Sequence, residues 1–281
     1  MLLLQRLTAS HLRGSATTRR RKLSDADAFD GATFDHSLWD AVLVAHVKSR
    51  RSIQGVTTAT ISYDGVANDD RFAAYLRALA TVDLLALAPA EQLALLINAY
   101  NALCVSVIIE HERRHPEQRL SSITQLSSGS RKVWDQPAGT LGGHTVSLGE
   151  VEHAKLRGQF DEPALHFCIV CASASCPDLR SGAYTAASLR QQMDEQASAF
   201  FRDRTKGLAW DGRTLTLSRI LYWFGDDWGG PRQAADAALD ALRDEEATLA
   251  HAARDELRLR SSWERYWGTR YFEYCWALNR A

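Results

Sequence analysis

No apolar run in this 281-residue chain approaches the roughly 18 residues needed to cross a bilayer, so the sequence predicts no transmembrane segment. Nor does one sign of charge dominate: 33 Lys and Arg stand against 34 Asp and Glu, a formal charge of −1. That balance gives no general attraction to nucleic acid or to an anionic membrane, so a partner, whether small molecule or peptide, must be recognised locally. Cysteine is sparse. Five cysteines, odd in number and irregular in spacing, do not make a disulfide scaffold in a chain this long, and they predict reduced thiols in an intracellular compartment. No heptad run predicts a coiled coil, and no cofactor is expected. Acidic residues are missing from Met1 to Ser24, where Arg6, Arg13, Arg19, Arg20, Arg21 and Lys22 lie among Ser, Thr, Ala and Leu. This composition fits a mitochondrial or plastid transit peptide, or equally a disordered basic tail. Residues 1–24 are therefore set apart from a single globular domain over 25–281, in a cytoplasmic or organellar protein.

Unusual chemistry is concentrated in Leu165-His166-Phe167-Cys168-Ile169-Val170-Cys171-Ala172-Ser173-Ala174-Ser175-Cys176-Pro177. The first seven residues read as a short buried strand, which would put Cys168 and Cys171 on opposite faces as structural thiols. Proline suits the first position of a helical turn, leaving Cys176 at the cap. A thiol there meets partial positive charge and gains thiolate character, which makes Cys176 the first nucleophile candidate. The plainer reading is that it is a small core residue.

Elsewhere the periodicities predict helices over 71–88, from Pro89 to about His111, over 148–157, 187–201 and 219–224, and through much of 232–259. The Pro89 helix is apolar nearly all round, so it should be buried. Asn98 and Asn101 interrupt it on one face, and buried amides need partners; the simpler reading is that they fix a loop backbone, the functional one that one of them orients a catalytic base or donates to an oxyanion. Ser147-Leu148-Gly149-Glu150 has the form of a capping box. On the helix that follows, Glu150, His153 and Arg157 should share a face while Glu152 points elsewhere. His153 is a plausible base for Cys176, with His166 and His144 as competitors. Strands are expected at 55–63, in a hairpin turning at Asp211-Gly212, and at 270–279, the last completing a sheet. The predicted class is α+β: a helical N-terminal half packed on a small mixed or antiparallel sheet.

With Leu95-Leu96-Ile97-Asn98-Ala99-Tyr100-Asn101-Ala102-Leu103 and the stretch from His166 to Pro177 in hand, the chain resembles the domain of unknown function 547 family. Ser147 to His153 with Arg157, Leu217 to Phe224, and Tyr274 to Asn279 resemble further motifs of that family, so that the resemblance spans about 72–279. It implies that Asn98, Tyr100, Asn101, Glu152, His153, Arg157, Ser173, Ser175, Cys176 and Pro177 stand at motif positions, and it assigns no activity. Two functions are compatible with these residues. One is a thiol-dependent hydrolase or acyl transferase, with Cys176 as nucleophile, His153 as base and Glu152 or Asn101 orienting it. The other is a non-catalytic interaction or ligand-binding module whose polar residues are structural. A zinc site from Cys168, Cys171, Cys176 and His166 is a weaker third idea, since its spacing is not a standard one.

Overall fold

The computed structural model describes residues 20–23, 32–242, 250–251, 253–255 and 269–281. Except for Arg20 to Leu23, the basic leader lies outside them, as does part of 232–259. The class is α+β. The chain divides into two compact units, one comprising Arg20–Gln196 with Cys275–Ala281 and the other built on Ala197–Tyr274.

The first unit opens with α1 (Ser37–His46), which buries Trp39, Val42 and Leu43, and a hairpin of β1 (Val47–Ile53) with β2 (Val56–Ile61). The helices α2 (Tyr63–Ala67) and α3 (Asp70–Thr81) follow. The predicted helix over 71–88 thus stops early. Val82 is extended, and the Asp83 carboxylate accepts from the Leu85 N–H to start a separate 3₁₀ turn, leaving Leu85 94 % exposed rather than inward. The main helix α4 (Pro89–Arg114) starts with proline at its first turn, where no N–H is needed. Against the expectation that no apolar run nears the span of a bilayer, it is long and apolar enough to cross one, yet it is mostly buried, as in a core helix. Leu93, Leu95, Ile97 and Ile108 are sealed from solvent, each contributing about 1.5–3 kcal/mol of burial.

After α4 come the hairpin of β3 (Pro137–Leu141) with β4 (His144–Ser147), then a π-helix (Glu150–Leu156) running into α5 (Arg157–Gln159), and later α6 (Leu189–Arg202). The capping box forms as predicted: the Ser147 N–H donates to Glu150 Oε2 (2.7 Å) and the Glu150 N–H to Ser147 Oγ (3.0 Å). The predicted strand at 165–171 does not form. Pro163 starts a 3₁₀ helix over Pro163–Phe167 instead, and the chain continues irregularly to Arg180. The strand expected over 270–279 does not form as one, because the chain is irregular from Phe272 to Ala277; its last residues make isolated backbone bonds instead, with the Ile61 N–H donating to Asn279 O (2.9 Å), the Asn279 N–H to Ala172 O (3.0 Å) and the Ala174 N–H to Ala277 O (2.8 Å).

In the second unit β5 (Leu208–Trp210) pairs antiparallel with β6 (Leu215–Leu217), which pairs in parallel with β7 (Thr269–Tyr271). The predicted turn holds Asp211 and Gly212 but spans four residues, because Asp211 Oδ1 accepts from the N–H groups of both Arg213 and Thr214. Ser218 caps α7 (Arg219–Phe224) as expected, and α8 (Pro231–Asp240) follows.

His36, next to α1, carries a pH dependence. Its ring is buried with Nδ1 2.9 Å from Tyr75 Oη, and burial lowers its pKa to about 4, against a smaller opposing pull from Asp35. The unfolded chain, with a pKa near 6.5, binds a proton that the native state refuses, so stability from this site is full above pH 6.5 and is lost as pH falls toward 4. The loss should reach about 2 kcal/mol by pH 5. Urea midpoints at pH 7.5 and pH 5 for the native chain and His36→Gln check it; an equal drop in both would remove His36 as the cause.

Candidate functional site

The motif residues of the first unit form two groups around α4. Asn98 and Asn101 are buried, and each uses both ends of its amide on loop backbone. Asn98 Nδ2 donates to Tyr184 O (2.8 Å) while Oδ1 accepts from the Tyr184 N–H (3.0 Å). Asn101 Nδ2 donates to Cys168 O (2.9 Å) while Oδ1 accepts from the Val170 N–H (2.8 Å). The simpler expectation, that these amides fix a loop backbone, is met. The pairing also explains why 165–171 needs no strand ladder, because side chains supply the bonds that neighbouring strands otherwise would.

Cys176 is not at a helix cap. Its N–H closes a turn onto Ser173 O (3.1 Å), and residues 177–180 have no regular structure, so the electrostatic help expected from a helix N-terminus is absent. Its sulfur is paired with Cys171 in a disulfide, with Cα atoms 6.3 Å apart, inside the usual range. The expectation of reduced cysteines throughout therefore fails for this pair. The chain reverses between the two sulfurs through Ala172, which adopts the left-handed conformation (φ 62°). The Cys171 N–H donates to Cys176 Sγ (3.0 Å), and Cys171 Sγ lies 3.3 Å from Ser173 Oγ. Cys168 is a buried free thiol whose pKa burial pushes up to about 12, and burial also raises Cys104. With two of its sulfurs joined, the suggested zinc set does not assemble. Among the described residues no group of three or more His, Cys, Asp or Glu side chains stands where it could hold a metal ion.

A second polar group forms where the π-helix meets α4. A π-turn is rare and widens the helix, and here it turns Glu152 inward, where its Oε2 accepts from Tyr100 Oη (3.2 Å). Glu152 Oε1 lies 3.9 Å from His153 Nδ1. Arg157 Nη1 is closer, 3.0 Å from the same nitrogen. Glutamate, not the capping Glu150, thus accompanies His153, but it is Glu152, the residue predicted to point away. An arginine N–H can only donate, so Nδ1 accepts and the imidazole proton sits on Nε2. Burial, with Glu152 next in weight, raises the Tyr100 pKa and keeps its hydroxyl a donor. The rings of Trp134 and Trp276 meet edge-on, 5.7 Å apart.

The structure thus joins Glu152 with His153, ties Asn101 to the loop leading into the disulfide, and turns Cys176 to Cys171. Of the other histidine candidates, His166 is buried and His144 is exposed at the start of β4. Residues 84–201 match the model of the family described as "Protein of unknown function, DUF547". The motif positions from Asn98 to Pro177 all fall inside the matched segment, whereas the Leu217–Phe224 and Tyr274–Asn279 stretches lie beyond it. No curated protein and no solved structure matches the chain.

Three residues that hold the same loop carry no role in the sequence analysis. Asp178 accepts from the Ala59 N–H (3.1 Å) and from Thr58 Oγ1 (3.2 Å), and pairs with Arg50 Nε (2.7 Å). Gln192, on α6, donates to Ala183 O (2.9 Å) and accepts from the Thr185 N–H (3.0 Å). Ser175 stands at a motif position with no role assigned by the resemblance, and its Oγ accepts from the Cys275 N–H (2.9 Å). The spacing of Gln192 and Gln196 across one turn, beside the inward-facing Met193 and Ala197, is the available signal, since Gln196 Nε2 in turn donates to Asp178 O (2.9 Å).

Proposed function

We propose that this chain is a non-catalytic ligand- or partner-binding module, in which the DUF547-type polar residues hold the loop from Cys168 to Tyr184 in one shape for a small molecule or peptide. The observation that carries this reading is that both ends of both amides, Asn98 and Asn101, are engaged by loop backbone. A network satisfied in this way specifies a unique loop conformation. Two further observations support it: Cys176 is engaged by Cys171, and His153 Nδ1 is engaged by Arg157 Nη1. A balanced charge supports a partner that is not nucleic acid, and an intracellular location belongs to the same proposal.

The competing reading is a thiol-dependent hydrolase or acyl transferase, with Cys176 as nucleophile, His153 as base, and Glu152 or Asn101 orienting it. One observation favours it, the peptide N–H of Cys171 directed at Cys176 Sγ, which is the kind of donor that holds a thiolate. Alkylation of the native protein across pH, read by peptide mass spectrometry, separates the two. The module reading expects Cys176 to stay unlabelled without reductant, and labelling after reduction to be indifferent to His153→Ala. Fast labelling with an apparent pKa below the free value of about 8.5, rising when His153 is replaced, would favour the enzyme and end the module reading.

A further inference from the structure

Cys171 and Cys176 differ in their surroundings in a way that gives their disulfide a direction. Cys176 is buried, while Cys171 is only half-buried. The residues between them, Ala172-Ser173-Ala174-Ser175, are small and put little bulk beside the sulfurs. The Cys171 N–H already points at Cys176 Sγ, so a donor is in place for negative charge appearing on that sulfur. Both flanks of the pair are held independently of it: Val170 by Asn101, and Ala172 and Ala174 by the backbone of Asn279 and Ala277. Opening the bond would leave the two thiols near each other, poised to close again.

We propose that the Cys171–Cys176 disulfide is an exchangeable redox couple, entered by a dithiol reductant at Cys171 Sγ and released at Cys176 Sγ. A reductant thiolate attacks Cys171 Sγ; the S–S bond breaks and its electron pair leaves on Cys176 as a thiolate facing the Cys171 N–H. The second thiol of the reductant, once deprotonated, attacks its own sulfur in the mixed disulfide, so that Cys171 leaves as a thiolate and the reductant departs as a disulfide. Two electrons pass to the protein, and the two protons given up by the reductant pass through solvent to the released thiolates. This holds whether or not the module reading does, because it concerns only the pair and its flanks.

The test is made on the whole chain in native buffer, with dithiothreitol as the dithiol and iodoacetamide as the label, read per cysteine by mass spectrometry. Buried Cys104 and Cys168 serve as reporters of unfolding. The expected result is at least about tenfold more labelling of Cys171 and Cys176 after reduction, unchanged Cys104 and Cys168, and return of the disulfide after dialysis into oxidised glutathione. With Cys176→Ser, glutathione should be captured on Cys171; with Cys171→Ser, capture on Cys176 should be at least about tenfold slower. Reduction only when Cys104 and Cys168 also label, or faster capture at Cys176, overturns the proposal. The measurement on the unaltered chain decides even where a variant fails to fold.

Discussion

Replacing Asn101 by alanine should destabilise the first unit by about 3 kcal/mol, from two buried backbone groups left without partners at about 1–3 kcal/mol each. The groups are Cys168 O and the Val170 N–H, and both face a side chain only 3 % exposed. Asn101→Asp should recover little, since a carboxylate accepts from Val170 but cannot donate to Cys168 O, and the charge is buried. The urea midpoint should fall with an unchanged slope, as for a change in stability rather than in compactness. A loss below about 1 kcal/mol would show that water replaces the amide and that the clamp does not hold the loop. Asn98→Ala tests the other end of the loop at Tyr184. If the double variant loses no more than either single one, the two amides release the loop as a unit.

Gly207→Ala should be at least as damaging, about 3 kcal/mol or more, in the second unit. A Cβ at this position would overlap the carbonyl oxygen of Phe200 and lie 2.7 Å from its carbonyl carbon and 2.9 Å from Cα of Phe201. These are backbone atoms at the end of α6, so no side-chain rotation relieves the overlap. The glycine cannot shift easily either, because its N–H donates to Asp203 O (2.8 Å) and its carbonyl accepts from the Ser218 N–H (2.8 Å). Gly212→Ala is the control. Nothing lies within 4 Å of its Cβ position, so only its left-handed backbone (φ 91°) opposes the change, at a cost of about 1 kcal/mol. Denaturation followed by tryptophan fluorescence measures both; equal midpoints for the two variants would remove the backbone overlap as the cause.

What the sequence made legible follows from how local each signal is. The burial of α4, the Ser147–Glu150 box and the Ser218 cap are written in residues within a few positions of one another, and each appears as expected. The run from Leu165 to Cys171 was misread because a short buried apolar stretch looks the same whether it pairs as a strand or coils against a helix. What decided it was Asn101, 67 residues from Cys168. The Cys171–Cys176 bond was hidden for a different reason, since it needs a reversal at Ala172 in a conformation that alanine seldom adopts. The end of α3 was legible in principle, as Asp83 is a capping residue within what read as a continuous helical stripe. Asp178 is invisible as a loop holder because polar residues near turns ordinarily face water, whereas Gln192 leaves a signal in its spacing from Gln196.

The seam made by Asn279 with Ile61 and Ala172 also orders events in time. Tyr63 donates to Asn279 Oδ1 across 216 positions, whereas the clamps on α4 join residues 67 to 86 apart. Closing the longer loop costs more chain entropy before any bond repays it. Folding of this unit should therefore proceed from α4 and its loop to the closing segment, with pulse-labelled amides of Val170 and Tyr184 protected early and those of Ile61, Ala174 and Asn279 last.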